Sequence, residues 1–88
     1  MRIPRRPHPP NVIGVGRRLR WARESLGLSQ KEMALAIGEN TYRPVADRES
    51  ALIAPDVGWL YRVATFTGAD IVWLLTGVGP EPQPRSRT

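Results

Sequence analysis

The sequence predicts an all-α fold, a compact bundle of five short helices. Apolar residues recur at three- and four-residue spacing through the middle of the chain, which is the period of a helix with one buried face. Serine, threonine or aspartate precedes most of these stretches, and glycine follows most of them, as is typical of helix ends. The one β-rich run, residues 70–75, has no second strand to pair with, so no sheet is expected.

Composition divides the chain into three parts. Of its nine prolines, only Pro44 and Pro55 lie within residues 11–77. We predict a basic, proline-rich flexible arm over residues 1–10, a folded domain over 11–77 and a flexible proline-rich tail over 78–88. A folded unit this small is marginally stable and often gains stability from a partner or a second copy.

Two helices separated by a tight turn are predicted in the first half of the domain. The first begins between positions 11 and 16 and ends at Gly27. The second follows a capping box, in which Ser29 caps the helix and Glu32, three residues later, returns a bond to the cap. Gly38 ends this helix. The helix is therefore short, since the sequence specifies both of its ends.

The third helix is predicted to form a helix-turn-helix with the second. Thr41 is its expected cap, and the helix runs from Tyr42 to about Ser50. Pro44 falls in its first turn, where a missing N–H is harmless. The intervening IGEN, residues 37–40, supplies the glycine-containing turn of this motif.

Two further helices complete the bundle. Pro55 opens the fourth helix, Asp56 favours its positive end, and Gly68 ends it. Asp70 begins a short fifth helix that Gly77 closes. Five helices joined by loops this short pack as an all-α bundle.

The net charge of +5 is concentrated in the first third of the chain. Residues 1–26 carry +6, residues 27–54 carry −1 and residues 55–88 are neutral. This distribution is compatible with a polyanion partner such as DNA. The chain has no cysteine and its single histidine, His8, lies in the arm, so we expect no metal, no cofactor and no enzymatic activity. No stretch approaches the ~20 apolar residues of a membrane span, and the cytoplasm is the expected compartment.

Four segments follow one another in the chain: VGRRLRWAR, GLSQKEMALAIG, Glu49 with Pro55 six residues later, and DIVWLLTG. In these segments and their order, the region Val15–Gly77 resembles the DNA-binding domain of lambdoid phage repressors and Cro proteins, the Xre-type helix-turn-helix family. The resemblance implies a lambda-repressor-like fold whose third helix enters the major groove of double-stranded DNA. This chain has one residue more than the family between Gly38 and Glu49, and we place it in the turn at positions 39–40. An extra residue inside helix three would shift the DNA contacts by one position.

By this resemblance, the residues expected to contact bases are Thr41, Tyr42, Arg43 and Asp47. Arg43 can donate two hydrogen bonds to guanine and Asp47 can accept one from cytosine, and each good contact contributes ~1–3 kcal/mol of discrimination. The residues expected to contact phosphates are Ser29, Gln30 and Ser50. Arg2, Arg5 and Arg6 are candidates for a minor-groove arm, for which a solubilising tail is an equally good interpretation. A solvated helix face is the alternative for the base-contacting residues.

The resemblance also implies a buried ion pair and a homodimer. Arg23 is expected to pair with Glu49 and to lock helix three onto helix one. The expected dimer interface consists of Val57, Ile71, Val72 and Trp73, although Ile71 and Trp73 also fit a core. Large apolar residues expected to be exposed, and so to mark an interface, are Trp21, Leu52, Ile53, Trp59 and Val72.

The sequence leaves two functions open. The first is a sequence-specific transcription regulator, a repressor that binds a palindromic operator as a homodimer, with half-sites about 10 bp apart. The second is a protein-interaction module, such as an antitoxin whose main partner is a toxin, which the acidic middle of the chain and its apolar SALIA loop favour.

Overall fold

The computed structural model describes residues 12–83, which form an all-α bundle. Its helices are α1 (Val12–Ser25), α2 (Gln30–Ala36), α3 (Arg43–Glu49), α4 (Val57–Thr67) and α5 (Ile71–Thr76). No strand occurs within these residues, and the predicted fold class is confirmed. α1 packs against α3, α4 and α5, while α2 packs against α3, so α1 is the central support of the bundle.

The helix starts follow the capping residues of the sequence. The Ser29 hydroxyl accepts a hydrogen bond from the Glu32 amide, and the Ser29 amide donates one to the Glu32 carboxylate at 2.9 Å. The bond from the Ser29 backbone lowers the pKa of Glu32. Asp56 and Asp70 cap α4 and α5 in the same way, each through an amide three residues on. Each such cap satisfies an amide that lacks a partner inside its helix.

α3 begins one residue later than predicted. Its cap is Tyr42, whose side chain makes no capping bond, and not Thr41, so this prediction was wrong. Pro44 does lie in the first turn. Because the ring of Pro44 fixes the backbone at the helix start, α3 does not depend on a side-chain cap.

The end of α3 carries the one non-glycine residue in residues 12–83 with a left-handed backbone. Ala51 has φ of 66°, and the amide of Leu52 bonds back to the carbonyl of Asp47 at 2.8 Å. This is a Schellman-type helix end, in which glycine is usual because it adopts φ above zero without strain. The loop that follows α3 is therefore held by the helix itself.

The core lies where the five helices meet. Its buried apolar residues are Val15, Leu19, Ala22, Met33, Ala34, Ile37, Val45, Trp59, Leu60, Val63, Ala69, Trp73 and Leu74. The expectation that Trp59 is exposed was wrong, since only 3% of it is accessible. The guanidinium of Arg48 lies over the Trp59 ring at 4.7 Å and links α3 to α4. An arginine with an aliphatic stem can cover an aromatic face in this way while it keeps a charged end.

α1 approaches α3 at a glycine. A Cβ atom at Gly16 would lie 2.5 Å from the carbonyl oxygen of Glu49 and 2.8 Å from that of Arg48. No side chain larger than hydrogen fits between the two helices at this point. Gly16 therefore sets the distance between α1 and the C-terminal end of α3.

Arg18 ties α1 to the last turn of α5. Its Nε donates to the carbonyl of Leu74 at 2.8 Å, and Nη2 donates to that of Leu75 at 3.0 Å. These carbonyls lie in the last turn of a helix, where a cation is favourable. Partial burial lowers the pKa of Arg18.

The chain beyond α5 returns to α1. The indole N–H of Trp21 donates to the carbonyl of Pro82 at 2.9 Å. Trp21 is half exposed, so the proline-rich segment covers only part of it. Pro82 thus lies beside α1. The predicted arm, residues 1–10, lies outside the described residues.

The close approach of α1 and α3 generates the first prediction. Gly16→Ala is expected to destabilise the protein by about 2 kcal/mol, because the new methyl group must push two backbone carbonyls apart. Urea denaturation followed by far-UV circular dichroism measures the change.

The matched control is Gly58→Ala, another helical glycine, whose added Cβ would have its nearest neighbour at 3.4 Å. That change is expected to be neutral or to stabilise by up to about 1 kcal/mol, as alanine for glycine does in an open helix. Equal stability of the two variants would contradict the tight contact.

Candidate nucleic-acid interface

The helix-turn-helix is formed by α2, the turn at residues 37–42 and α3. Gly38 has φ of 90°, and the amide of Glu39 bonds to the carbonyl of Ala34, so the turn closes α2 directly. Arg62 of α4 holds this turn from behind. Its Nη1 donates to the carbonyl of Ile37 at 2.6 Å, and its Nη2 meets the Glu39 carboxylate at 3.0 Å.

A buried polar cluster joins α1 to the two helices of the motif. Arg23 of α1 forms a two-pronged ion pair with Glu49 of α3, with Nε to Oε2 at 2.7 Å and Nη2 to Oε1 at 3.0 Å. Gln30, the first residue of α2, donates to Glu49 Oε1 at 3.2 Å. Arg23 also bonds the carbonyl of Leu28, in the loop before α2. The pair expected from the sequence thus extends to α2 and ties α3 to both α1 and α2.

Burial makes this cluster structurally important. Only 4% of the Glu49 side chain and 11% of the Arg23 side chain are accessible to solvent. The hydrogen bonds to Glu49 raise the pKa of Arg23, which stays charged. The two buried charges form a two-pronged ion pair, and removal of either one would leave the other buried without a counter-ion. The pair therefore holds α1 and α3 together.

The residues expected to contact bases lie at the open end of α3. Thr41, Tyr42 and Arg43 are exposed, and Asp47 is half-buried one turn after Arg43. The Arg43 guanidinium lies 5.9 Å from the centre of the Tyr42 ring. Beneath them Val45 is buried in the core. The first turn of α3 therefore has a packed side and an open side.

The residues expected to contact phosphates all have partners within the protein. The Ser29 hydroxyl is the cap of α2, and the Gln30 amide reaches Glu49. The Ser50 hydroxyl donates to the carbonyl of Asp47 at 3.2 Å. Gln30 belongs to the cluster, Ser29 precedes Gln30 in the chain and Ser50 follows Glu49. The arm candidates Arg2, Arg5 and Arg6 lie outside the described residues.

The residues expected at a dimer interface divide into two groups. Val57 and Val72 are exposed, and Ile71 is half-buried against the core. Trp73 is only 4% accessible and packs in the core of the chain, which is the alternative that the sequence leaves open for it.

Sequence reasoning missed three residues that hold the helices of the bundle together. Arg18, Arg62 and Gly16 act through contacts with residues far away in the chain. One sequence feature could have identified Arg62, since it is the only charged residue in α4. Charged residues inside an apolar helix usually have a specific partner.

A metal-binding cluster and a membrane-spanning helix are both absent from residues 12–83. No group of three or more histidine, cysteine, aspartate or glutamate residues that could hold a metal ion occurs within residues 12–83. In the same part of the chain, no helix has the length and hydrophobicity that a bilayer span requires.

A helix-turn-helix held against a first helix, inside a five-helix all-α bundle, is the fold of Xre-type helix-turn-helix regulators, as the sequence resemblance implies. Two of the solved structures that are similar to the chain are regulators by name. The restriction-modification controller protein C.AhdI from Aeromonas hydrophila superposes with a TM-score of 0.66 at 25% identity, over 72% of this chain and 94% of that chain. The clp gene regulator ClgR from C. glutamicum superposes with a TM-score of 0.65 at 22% identity, over 72% of this chain and 80% of that chain. No protein-family model and no curated protein sequence matches the chain.

The buried cluster generates the second prediction. Glu49→Gln is expected to cost about 3 kcal/mol of unfolding free energy, because it leaves the charge of Arg23 buried without a counter-ion. Urea denaturation at neutral pH measures this loss.

Glu24→Gln is the control, because the Arg20–Glu24 pair is formed at 2.9 Å with 65% and 55% of its side chains accessible. Loss of this pair is expected to cost no more than about 0.5 kcal/mol of unfolding free energy, as for other exposed pairs one turn apart. Similar losses in the two variants would show that the Glu49 pair is not desolvated.

Proposed function

We propose that this protein is a sequence-specific DNA-binding transcription regulator, a repressor that binds a palindromic operator as a homodimer. The observation that carries the proposal is the cluster of Arg23, Glu49 and Gln30. It fixes α3 against α1 and α2 while the first turn of α3 stays open to a partner. The names of the two similar structures, a controller protein and a gene regulator, support a regulatory role.

The chemistry of the open turn suits the edges of base pairs. Arg43 carries a planar set of donors that matches guanine O6 and N7, and Asp47, one turn on, offers acceptors to cytosine N4. Thr41 and Tyr42 add hydroxyl groups that can bond bases or phosphates. Ser29, Gln30 and Ser50, beside the cluster, would then face the phosphates that border the groove.

A homodimer would present two copies of the open first turn of α3. Val57 and Val72 are large apolar residues exposed at the starts of α4 and α5, with Ile71 beside Val72. Burial of such a patch against its copy removes apolar surface from water. Two copies related by a two-fold axis would place their α3 helices in successive major grooves, with half-sites about 10 bp apart.

An apolar groove supports a second candidate, a module whose main partner is a protein such as a toxin. It lies between α2 and α4 with a volume of about 500 Å³ and includes Ala36, Tyr61 and Phe66. Leu52 and Ile53 are exposed in the loop after α3. On this hypothesis DNA affinity is weak without the protein partner.

The third prediction tests the readout by α3. Duplexes enriched by the protein from a random-sequence pool are expected to share a palindrome. On the enriched duplex, Arg43→Ala is expected to cost about 1–3 kcal/mol of binding free energy, because it removes a two-pronged base contact. On a scrambled duplex of equal length the loss is expected to be smaller. Fluorescence anisotropy measures both affinities.

The control is Arg17→Ala, which removes an exposed arginine of α1 outside the motif. It is expected to weaken binding to both duplexes equally. Failure of the pool to yield any shared sequence would contradict the regulator proposal and favour the protein-interaction module.

A further inference from the structure

The chain turns back after α5 and brings a proline-rich segment to α1. The amide of Val78 donates to the hydroxyl of Thr76 at 3.1 Å, which holds the chain to the last turn of α5. Gly79 has φ of 109°, a backbone conformation that other residues rarely adopt. Three residues later, the carbonyl of Pro82 accepts the indole N–H of Trp21 at 2.9 Å. This hydrogen bond joins residues that are 61 positions apart in the chain.

The sequence itself restricts residues 80–83 to an extended conformation. Proline occupies positions 80, 82 and 84, and its ring fixes φ at about −65°. The two intervening residues, Glu81 and Gln83, each precede a proline, which disfavours the helical region for them. Residues 80–83 accordingly belong to no helix or strand. A segment biased in this way to polyproline II makes no hydrogen bonds of its own, so its carbonyls are open to outside donors.

The contact with α1 has the chemistry by which aromatic side chains recognise polyproline II. Trp21 is 49% exposed and offers a flat apolar ring with a single N–H donor. Pro82 is half-buried, whereas Pro80, Glu81 and Gln83 are exposed. The segment therefore turns one proline and its carbonyl toward the indole and leaves its other residues in solvent, as proline-rich ligands do on aromatic sites.

Trp21 lies on the side of α1 that faces away from α3. Successive residues of a helix are rotated by about 100°, so residues two or five positions apart point to roughly opposite sides. Trp21 follows Gly16 by five residues and precedes Arg23 by two, and both of these residues contact α3. The segment on Trp21 therefore leaves the helix-turn-helix uncovered.

We propose that the outer face of α1 at Trp21 is a recognition site for a proline-rich segment in the polyproline II conformation, and that residues 80–83 of the same chain occupy it. The segment then acts as a strap that ties the chain beyond α5 to α1. Because it is both pre-organised and tethered to the site, its docking costs little entropy and a weak contact is sufficient. The proposed function does not use this surface, and the inference does not rest on that function.

The test uses the full chain and acrylamide quenching of tryptophan fluorescence. Trp59 and Trp73 are 3% and 4% accessible, so Trp21 is the tryptophan that acrylamide reaches. The first variant combines Pro80→Ala, Pro82→Ala and Pro84→Ala. It is expected to raise the quenching constant by up to about twofold, because a terminal segment without its restraint leaves the half-exposed ring of Trp21.

The matched control combines Pro4→Ala, Pro7→Ala and Pro9→Ala, which removes three prolines from the other end of the chain. It is expected to leave the quenching constant unchanged. Circular dichroism of both variants establishes that the helices are intact.

A peptide tests the recognition site separately from the tether. The peptide VGPEPQPRSRT, which has the sequence of residues 78–88, is added to the tail variant at about 1 mM, the effective concentration that a short tether supplies. It is expected to lower the quenching constant toward that of the wild type. The same peptide with alanine at its three proline positions is expected to have no effect, because it is not pre-organised.

Each contrary outcome has a distinct meaning, and none of them depends on a DNA ligand. An unchanged quenching constant in the tail variant would overturn the strap, and equal effects of the two peptides would overturn recognition of polyproline II. An equal rise in the control variant would show that the prolines at the two ends of the chain are not distinguished, which overturns the assignment to residues 80–83. A wild-type quenching constant that rises on hundredfold dilution would place the tail of a second copy on Trp21 and overturn the assignment to the same chain.

Discussion

The contact between α1 and α3 is the constraint on which the rest of the structure depends. α3 has seven residues, far fewer than the ~12–15 that an isolated helix needs to be marginally stable in water. Its helical state must therefore come from packing. Gly16 lets the backbone of α1 reach the end of α3, and Arg23 reaches the same end from one face of α1. Both contacts converge on Glu49.

The contacts at Glu49 fix the orientation of α3 as well as stabilising it. Apolar packing of Val45 alone would tolerate a small rotation of α3 about its own axis. A two-pronged ion pair does not tolerate such a rotation, because its two bonds fix the plane of the carboxylate. Gln30 adds α2 to the same carboxylate, and Arg62 fixes the turn between the helices. The open turn with Tyr42 and Arg43 is thus presented in one orientation, which base recognition requires.

Local features of the sequence predict the helices well. The features that the sequence does not predict depend on contacts between residues far apart in the chain. Ser29, Asp56 and Asp70 specify helix starts through bonds to amides three residues on, so their effect is visible in the sequence. The start of α3 was misplaced by one residue because Pro44 sets it without a capping side chain. Trp59 was assigned to the surface because nothing local shows that Arg48 covers its ring.

Native-state amide hydrogen exchange tests the dependence of α3 on α1 most directly. The amides of Ala46 and Ser50 bond to the carbonyls of Tyr42 and Ala46, inside or at the ends of α3. If packing against α1 maintains the helix, these amides exchange only when the whole domain unfolds, with the same free energy and urea dependence as the central amides of α1. Exchange of the α3 amides at a much lower free energy, unaffected by urea, would show that α3 opens alone and that the contact with α1 does not hold it.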